Sequence, residues 1–376
     1  MRIRKKRVVV IGAGIAGLAT ARALLADGHE VEVYEAAPEL RATGGSVTLW
    51  PGATGILREL GVDPAARGSR LSAMESYTTR GRRLFTVDLA DIERRLGRPS
   101  VHIVRRDLVE LLAEGVPITY GAEVAAVDPD RAEATLADGR TIGGDVLVGA
   151  DGRRSVVRGA LWEQDPARLS GWVTWQGFVS EPDSGVIRMA TGRQGLFSLA
   201  PAGGDRLLWW FDTRAAPGSR LWEDEPDPVA ALRERFGSWR AGPLQWLWPQ
   251  LGDVQFFPHY RHAVPEVWGR GAVTLAGDSA HTMPPALAQG ANQGIEDAWA
   301  LRGSLEDLRA YERGRAKVVR RPAVLAGFEM TSRPQPPMPS ALVTGLFARL
   351  LRAFSGYLLT TPEQRRILGN VPESRI

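Results

Sequence analysis

The stretch VVVIGAGIAGLATARALLADGHEVEVYE, Val8 to Glu35, decides the fold. Val8 to Ile11 is a short β-branched run that reads as a buried parallel strand. GAGIAG follows, with Gly12, Gly14 and Gly17 at the dinucleotide spacing, and a helical pattern then runs from Ala16 to Ala26. Each glycine has its own physical role. Gly12 permits a tight turn, Gly14 lets the backbone approach a pyrophosphate, and Gly17 allows close helix-to-strand packing. The helix start offers free N–H groups and a partial positive charge to phosphates. Gly28 stops the helix, and VEVYE forms a second strand ending in Glu35, an acid suited to a ribose 2′-hydroxyl. Alone the spacing is a weak signal, but inside a strand-turn-helix-strand unit it predicts an α/β, Rossmann-type domain. No second GxGxxG opens a βαβ unit, so the chain holds one dinucleotide tightly.

The bulk composition fits this reading. At 376 residues, with 44% hydrophobic and 24% charged, the chain is long enough for two domains or one elaborated one. Its +4 charge comes almost wholly from scattered arginines, since lysine occurs only as Lys5, Lys6 and Lys317; nucleic acid is therefore not an expected partner. With no cysteine there is no disulfide framework, thiolate metal site or CxxC redox centre, and no metal is expected. The basic opening MRIRKK before an apolar run mimics a signal peptide, but the glycine spacing inside that run favours a cytoplasmic first strand and helix.

Helical periodicity returns at Arg105 to Ala113, followed by strands around Ile118 and Val124 and a hairpin turning at Asp138-Gly139. The strand DVLVGADG ends in Asp151-Gly152, where an acid serves a ligand or simply caps a turn or helix. Ten of the twelve tryptophans fall between Trp162 and Trp268, in stretches such as GWVTWQGFV and RLLWWFD that read as antiparallel strands. These tryptophans fill a core or line an aromatic pocket, with Trp175 and Trp210 as pocket candidates. AVTLAGD returns the chain to the first domain at Ala272 to Leu275 and brings Asp278 to the nucleotide crevice. Helices are expected over Gly290 to Leu301 and Glu306 to Gly327. After RPQPPMP a final helix, ALVTGLFARLLRAFSGYLL, packs on the body or a partner subunit rather than in a membrane. The expected organisation is a discontinuous dinucleotide-binding domain (1–160 and 270–327), an inserted, mostly antiparallel β-sheet substrate domain (161–269, with strands from about 72–100) and a C-terminal helical segment (328–376), in a monomer or homodimer.

Three separated elements, GAGIAG with Glu35, ADGRRSVVR and LAGDSAHTMPPALAQGANQGIEDA, together resemble the class A, para-hydroxybenzoate hydroxylase-like flavoprotein monooxygenases over the chain to about residue 327. SVTLWP and FSLAPAGGDRLLWWFD look most like the single-component branch that includes urate and 3-hydroxybenzoate hydroxylases. The resemblance implies FAD, reduced by NADPH or NADH, and insertion of one oxygen from dioxygen into an aromatic or polyunsaturated molecule through a flavin C4a-hydroperoxide. It assigns the adenine half to Gly12, Gly14, Gly17 and Glu35, the phosphates and ribityl chain to Arg105, and the ribityl hydroxyls to Asp278. It assigns both FAD and nicotinamide binding to Asp151, and further cofactor contacts to Ala16, Ala36 and Arg41. Pro285 falls beside the reacting flavin edge. The backbone amides at Gly290, Ala291 and Asn292 fall at its pyrimidine end, where a helix N-terminus stabilises negative charge.

Some positions depart from the family. Ala288 stands where GQG is usual; if that position needs a positive φ, alanine costs about 1 kcal/mol there. Pro51-Gly52 replaces the common PN pair. Leu196 and Leu208 align with the arginine and tyrosine that engage the purine in urate hydroxylases, which favours a more hydrophobic aromatic or polycyclic substrate. His259, Tyr260, Arg261 and His262 form the one dense polar cluster near the expected pocket, with His259 or Tyr260 a candidate base and a surface turn the bland alternative. Two other functions remain open on the sequence, a non-oxygenating FAD-dependent reductase or dehydrogenase and a redox-silent flavin-binding regulator.

Overall fold

The computed structural model describes residues 4–40, 44–162, 166–241, 244–328 and 336–359. The β-branched opening becomes β1 (Arg7–Ile11), the centre of a five-stranded parallel sheet. It is flanked by β2 (Glu30–Tyr34) and β8 (Ile118–Thr119) on one side, and by β12 (Val146–Gly149) and β18 (Val273–Leu275) on the other. Val8, Val9 and Val10 are fully buried, as expected of a strand covered on both faces. A long crossover joins β12 to β18, and the seven-stranded sheet described below is built largely from it. Helix α1 (Ile15–Ala26) is apolar on most of its surface, with Arg22 donating to the Glu114 and Leu60 carbonyls, and is sandwiched between this sheet and the later helix α9 (Gly290–Arg302). A meander of β9 (Val124–Asp128), β10 (Glu133–Leu136) and β11 (Thr141–Gly143) turns at Gly139, whose φ of 88° suits glycine.

A small sheet pairs β3 (Ser46–Leu49), β7 (Ser100–Val104) and β4 (Ser69–Leu71), with α2 (Pro51–Glu59) and α4 (Arg105–Ala113) beside it. The larger sheet runs β17 (Gln255–Arg261), β13 (Arg168–Ser180), β16 (Arg206–Arg214), β15 (Gly195–Pro201), β14 (Val186–Gly192), β5 (Ala73–Thr78) and β6 (Arg83–Asp88). All its pairs are antiparallel except β14 with β5. Its register sorts the tryptophan-rich strands onto two faces, because alternate residues point opposite ways. Trp175, Phe197, Trp209 and Phe211 lie on one face and pack against α6 (Pro228–Phe236) and α7 (Leu244–Leu247). Gln176, Ser198 and Trp210, paired across β13, β15 and β16, lie on the other, which turns toward the small sheet.

Helix α3 (Leu89–Leu96) follows β6, α5 (Val156–Leu161) follows β12, and α8 (Asp278–His281) follows β18. Helix α10 (Leu308–Gly327) packs on α9. The C-terminal stretch expected as one helix is two, α11 (Ser340–Phe354) and α12 (Gly356–Leu359). Ser355 breaks it in an extended conformation, φ −116° and ψ 114°, and its hydroxyl turns instead to the Glu296 carboxylate. None of the described helices is long and apolar enough to cross a membrane.

Candidate active site

The glycine-rich turn has the shape its spacing demands. Gly12 sits at φ 103°, and a Cβ there would strike the Ala150 carbonyl oxygen at 2.5 Å. A Cβ on Gly17 would overlap the Gly12 carbonyl, so α1 lies directly on the turn. Gly14 differs: a Cβ on it would meet nothing within 4 Å, which leaves the N-terminus of α1 open on that side. Glu35 reaches this turn, accepting from the Ala13 amide at 2.8 Å and the Ala37 amide at 2.9 Å, with Ala36 exposed beside it. Arg105 begins α4; its amide donates to the Gly45 carbonyl and its exposed side chain passes over Gly44. Arg41 lies outside the described residues.

Ala16 is where three elements meet. Cβ atoms built on Gly277 and Gly294 would stand 2.5 and 3.0 Å from its methyl, so α1, the turn after β18 and α9 converge there. That turn is held from below. The Gly277 amide and His281 Nε2 both contact Asp297 Oδ2, at 2.8 and 2.6 Å, while Arg158 donates to the Ser279 and Ala280 carbonyls. Arg315 completes the buried cluster, donating to Asp297 at 2.7 Å and to Glu296 at 3.3 Å. Burial alone would raise the Asp297 carboxyl, but the adjacent His281 and Arg315 hold it at about 2; burial raises Glu296 against the pull of Arg315. Two charges left without partners here would be costly, which fixes the turn's position.

Above this foundation Asp278 is exposed, and its Oδ1 is 3.8 Å from where a Gly290 Cβ would be. The first backbone bond of α9 runs from the Gln293 amide to the Gln289 carbonyl, so the amides of Gly290, Ala291 and Asn292 are the helix's leading donors. The Asn292 side chain is a tie rather than a free group: it donates to the Thr48 and Ala288 carbonyls and accepts from the Trp50 amide. Pro285 is exposed at the start of a single 3-10 turn, and Ala288 ends that turn at φ 50°, ψ 39°, in the left-handed region. The position does take a positive φ, and the alanine accepts it. Gly52 also finds its reason, since a Cβ there would overlap the Ser355 hydroxyl and crowd Glu296.

Ser155 caps α5, its hydroxyl accepting from the Arg158 amide at 2.8 Å, and Asp151 holds that cap from the end of β12. The Asp151 carboxylate accepts from the Ser155 hydroxyl at 2.5 Å and the Val156 amide at 2.7 Å; desolvation raises its pKa while these bonds pull it down. Asp151 thus ties the end of β12 to the first turn of α5, and Gly152 follows at φ 81°.

The substrate-sheet candidates divide. Leu196, Leu208 and Trp210 lie on the face turned to the small sheet, but Trp175 does not. Its indole donates to the Leu221 carbonyl at 2.9 Å and its ring packs on Phe256, so Trp175 is a core residue of the opposite face. His259 and Tyr260 are neighbours on β17 and so point opposite ways. His259 is buried, with Nε2 2.7 Å from the Thr174 hydroxyl, which is also 2.5 Å from Asp212. Tyr260 instead lies under the Arg153 guanidinium, 4.7 Å from ring centroid to Cζ. Arg261 and His262 line a cavity of about 610 Å³ between the ends of β17, β13 and α10.

Sequence reasoning missed His102, Gln176 and the Thr174–Asp212 pair. His102 is buried where the two sheets meet, bonded to Ser46 at 2.5 Å and Thr48 at 2.9 Å, with Trp210 stacked 6.4 Å away. Burial holds its pKa at about 3, so the ring is neutral. Gln176 fills the space that a side chain on Gly45 would need. Alternation along the strand through Trp175 is the signal that would have found Gln176 and Thr174; nothing local marks His102.

A dinucleotide-binding turn, an acid after β18 and a helix N-terminus thus face a partly apolar sheet, the arrangement of a flavin-dependent oxidoreductase. Residues 5–320 match the family described as FAD binding domain. The chain is 33% identical over 307 residues to the aurachin C monooxygenase/isomerase of Stigmatella aurantiaca, covering 78% of this chain and 79% of that protein. It is 34% identical over 316 residues to a 3-amino-4-hydroxybenzoate 2-monooxygenase of Streptomyces platensis, covering 79% and 78%. The solved Klebsiella pneumoniae HpxO complexed with FAD and uric acid superposes with TM-score 0.82 at 25% identity, over 96% of this chain and 99% of that one. The chain belongs to the FAD-binding family of class A, para-hydroxybenzoate hydroxylase-like flavoprotein monooxygenases. It is an FAD-dependent oxidoreductase that acts as a monooxygenase.

Proposed function

We propose that this chain inserts one oxygen atom from dioxygen into a small aromatic or polycyclic molecule, using NADPH or NADH as reductant, and that the loops after β1 and β18 seat the flavin. The observation that carries the reading is the convergence at Ala16, where α1, the Gly277–Asp278 turn and the start of α9 meet. The residues present fit FAD. The open side of Gly14 and the leading amides of α1 suit a pyrophosphate, Glu35 lies beside that turn for the ribose, and Asp278 is an exposed acceptor for ribityl hydroxyls. Gly290, Ala291 and Asn292 offer amides for negative charge at the pyrimidine end, and Arg105 offers a cation near the phosphates. Bound FAD supplies hydride acceptance and oxygen activation.

The chain's own residues orient and shelter. Pro285 and Ala288 shape the loop in front of the apolar sheet face, where exclusion of water protects a reactive oxygen species. His259 is the candidate base: with the Thr174 hydroxyl donating to Asp212, the His259 Nε2–H donates to Thr174. That makes Nδ1 the nitrogen that takes a phenol proton, while the Asp212 carboxylate stabilises the resulting cation. The demand for NAD(P)H supports a cytoplasmic location. The test is oxidation of NADPH and NADH with and without phenols under isotopically labelled dioxygen. Label in the product, with reductant oxidation stimulated by substrate, is the expected result. Reduction of the flavin with no oxygen-derived product from any substrate would overturn the reading in favour of a reductase or dehydrogenase.

A further inference from the structure

We infer that helix α11 forms one wall of the substrate site and that the site takes a neutral, apolar aromatic ring system rather than a carboxylated one; this rests on the oxygen-insertion reading above. Three observations carry it.

The first is how α11 is mounted. At its start the Thr86 and Asp88 amides of β6 donate to Ser340 and Thr344, both at 2.9 Å. At its end Gln293 of α9 donates to the Phe354 carbonyl at 2.8 Å, and Glu296 accepts from Ser355 and the Tyr357 amide. Room for this end is made in α2, where Cβ atoms on Gly52 and Gly55 would collide with Ser355 and Tyr357. The helix therefore spans from the seven-stranded sheet to the flavin-loop helix, held at its start by one exposed and one half-buried bond and at its end by buried ones.

The second is what α11 faces. Phe347 and the preceding Met338 join a cluster with Met189 of β14, Trp210 of β16, Trp50 and Ala288. Phe347 meets the Trp50 ring edge-on at 5.3 Å, and the Trp50 indole donates to the Leu287 carbonyl at 3.2 Å. Met189, Trp210, Ala288, Met338 and Phe347 are each only half-buried, next to exposed Pro285. Half-exposed apolar groups from three elements, around the loop that bears Pro285, are what an aromatic ring would complete.

The third is charge. Along the face of β16 turned to this cluster, Arg206 is paired with Asp107 at 2.6 Å and Arg214 is exposed at the far end over Trp172. Between them the face carries Leu208, Trp210 and Asp212, so its one central charge is negative. Its polar groups are otherwise neutral: among the described residues the buried hydroxyls of Thr191 and Ser198 have no hydrogen-bond partner, and Ser198 pairs in register with both Met189 and Trp210. A substrate carboxylate would lose its hydration beside Asp212 with no arginine or lysine of this face in return, whereas a neutral ring suits the half-exposed apolar groups.

The test is titration of the oxidised, FAD-loaded enzyme with 1-naphthol and with 4-hydroxybenzoate at neutral pH, following the flavin absorbance change, which reports binding without turnover. 1-Naphthol is expected to bind about tenfold or more tightly than 4-hydroxybenzoate. Phe347→Ala and Met338→Ala are each expected to weaken 1-naphthol about tenfold at unchanged FAD content in the folded protein, with Phe347→Leu intermediate. Should Phe347→Ala fail to fold, Met338→Ala and Phe347→Leu carry the test. Tighter binding of 4-hydroxybenzoate by the wild type, no spectral response to 1-naphthol, or unchanged 1-naphthol affinity in the folded variants would each overturn the inference. Labelled-oxygen incorporation, measured separately, decides the underlying activity and so separates the two failures.

Discussion

The parallel sheet and the seven-stranded sheet meet at one site, but they bring different kinds of atom to it. Around the parallel sheet the proposed flavin contacts are largely main-chain, at the turn at Gly12, the open side of Gly14 and the leading amides of α9, with the Glu35 and Asp278 carboxylates and the Arg105 cation beside them. On the seven-stranded sheet it is side chains, Trp210, Ser198, Thr174 and His259, that share the proposed substrate face, and register decides which residues those are. Main-chain function survives most substitutions yet fails at particular glycines. Side-chain function is the reverse, and a one-residue slip would exchange the two faces.

The largest expected effect lies at the seam, in His102. The unfolded chain takes up a proton on this ring below its ordinary 6.5, whereas the folded ring stays neutral down to about 3. Between these values the unfolded state binds one more proton, so stability is present above pH 6.5 and is lost on acidification. The loss is about 1.4 kcal/mol per pH unit, on the order of 5 kcal/mol across the window. Chemical denaturation between pH 7 and pH 4 in the wild type and in His102→Gln measures it; the variant should have a flatter profile, and an equal slope would place the proton uptake elsewhere.

Next are the two faces of the larger sheet. Trp175→Ala empties a fully packed position and should cost about 3–5 kcal/mol, while leaving substrate affinity per folded molecule unchanged. Trp210 is half-buried, so Trp210→Ala should cost less stability and more substrate affinity. Urea unfolding together with ligand titration of both variants checks this, and loss of affinity in Trp175→Ala alone would reverse the assignment of faces.

The same contrast explains what could be read in advance. GAGIAG, Gly28 and Glu35 lie within one strand-turn-helix-strand unit, so spacing alone gave the bounds of its elements nearly to the residue, α1 included, although Gly12 and Ala16 also meet Ala150, Gly277 and Gly294 far along the chain. The antiparallel character of GWVTWQGFV and RLLWWFD was legible from composition, but the face of Trp175 was not. Its orientation follows from Trp175 pairing with Phe211 and Phe256, contacts 36 and 81 residues away in sequence. His102 lay in a plain apolar run, and only the pairing of β7 with β3 brings Ser46 and Thr48 to its ring. The break at Ser355 was hidden because its cause, Glu296, sits on another helix.

A smaller effect separates two glycines of one motif. Gly17→Ala would press a methyl onto the Gly12 carbonyl and should cost about 1–3 kcal/mol as the turn or helix shifts. Gly14→Ala meets nothing within 4 Å, so the fold should tolerate it and only flavin retention should fall. Thermal unfolding of the FAD-free proteins and bound-flavin absorbance after gel filtration distinguish the two. Equal destabilisation by both would mean that the open side of Gly14 is not where the cofactor lies.

The smallest effect, at Ala288, tests whether strain in the loop has a use. An alanine at φ 50° costs about 1–2 kcal/mol relative to glycine. Against the relief in Ala288→Gly stand about 0.4–1 kcal/mol of extra unfolded-state entropy and the loss of a methyl packed beside Trp50 and Phe347. Relief should win by under about 1 kcal/mol, so the unfolding midpoint should rise slightly. The Ala288 carbonyl is the acceptor that ties the Asn292 side chain at 2.6 Å, and a glycine would let that peptide turn away from it. A looser loop beside Pro285 should admit water, and NAD(P)H should then be consumed with hydrogen peroxide released and less product formed. A more stable variant with unchanged yield of product per NAD(P)H would show that the left-handed alanine is tolerated by the fold without serving the chemistry.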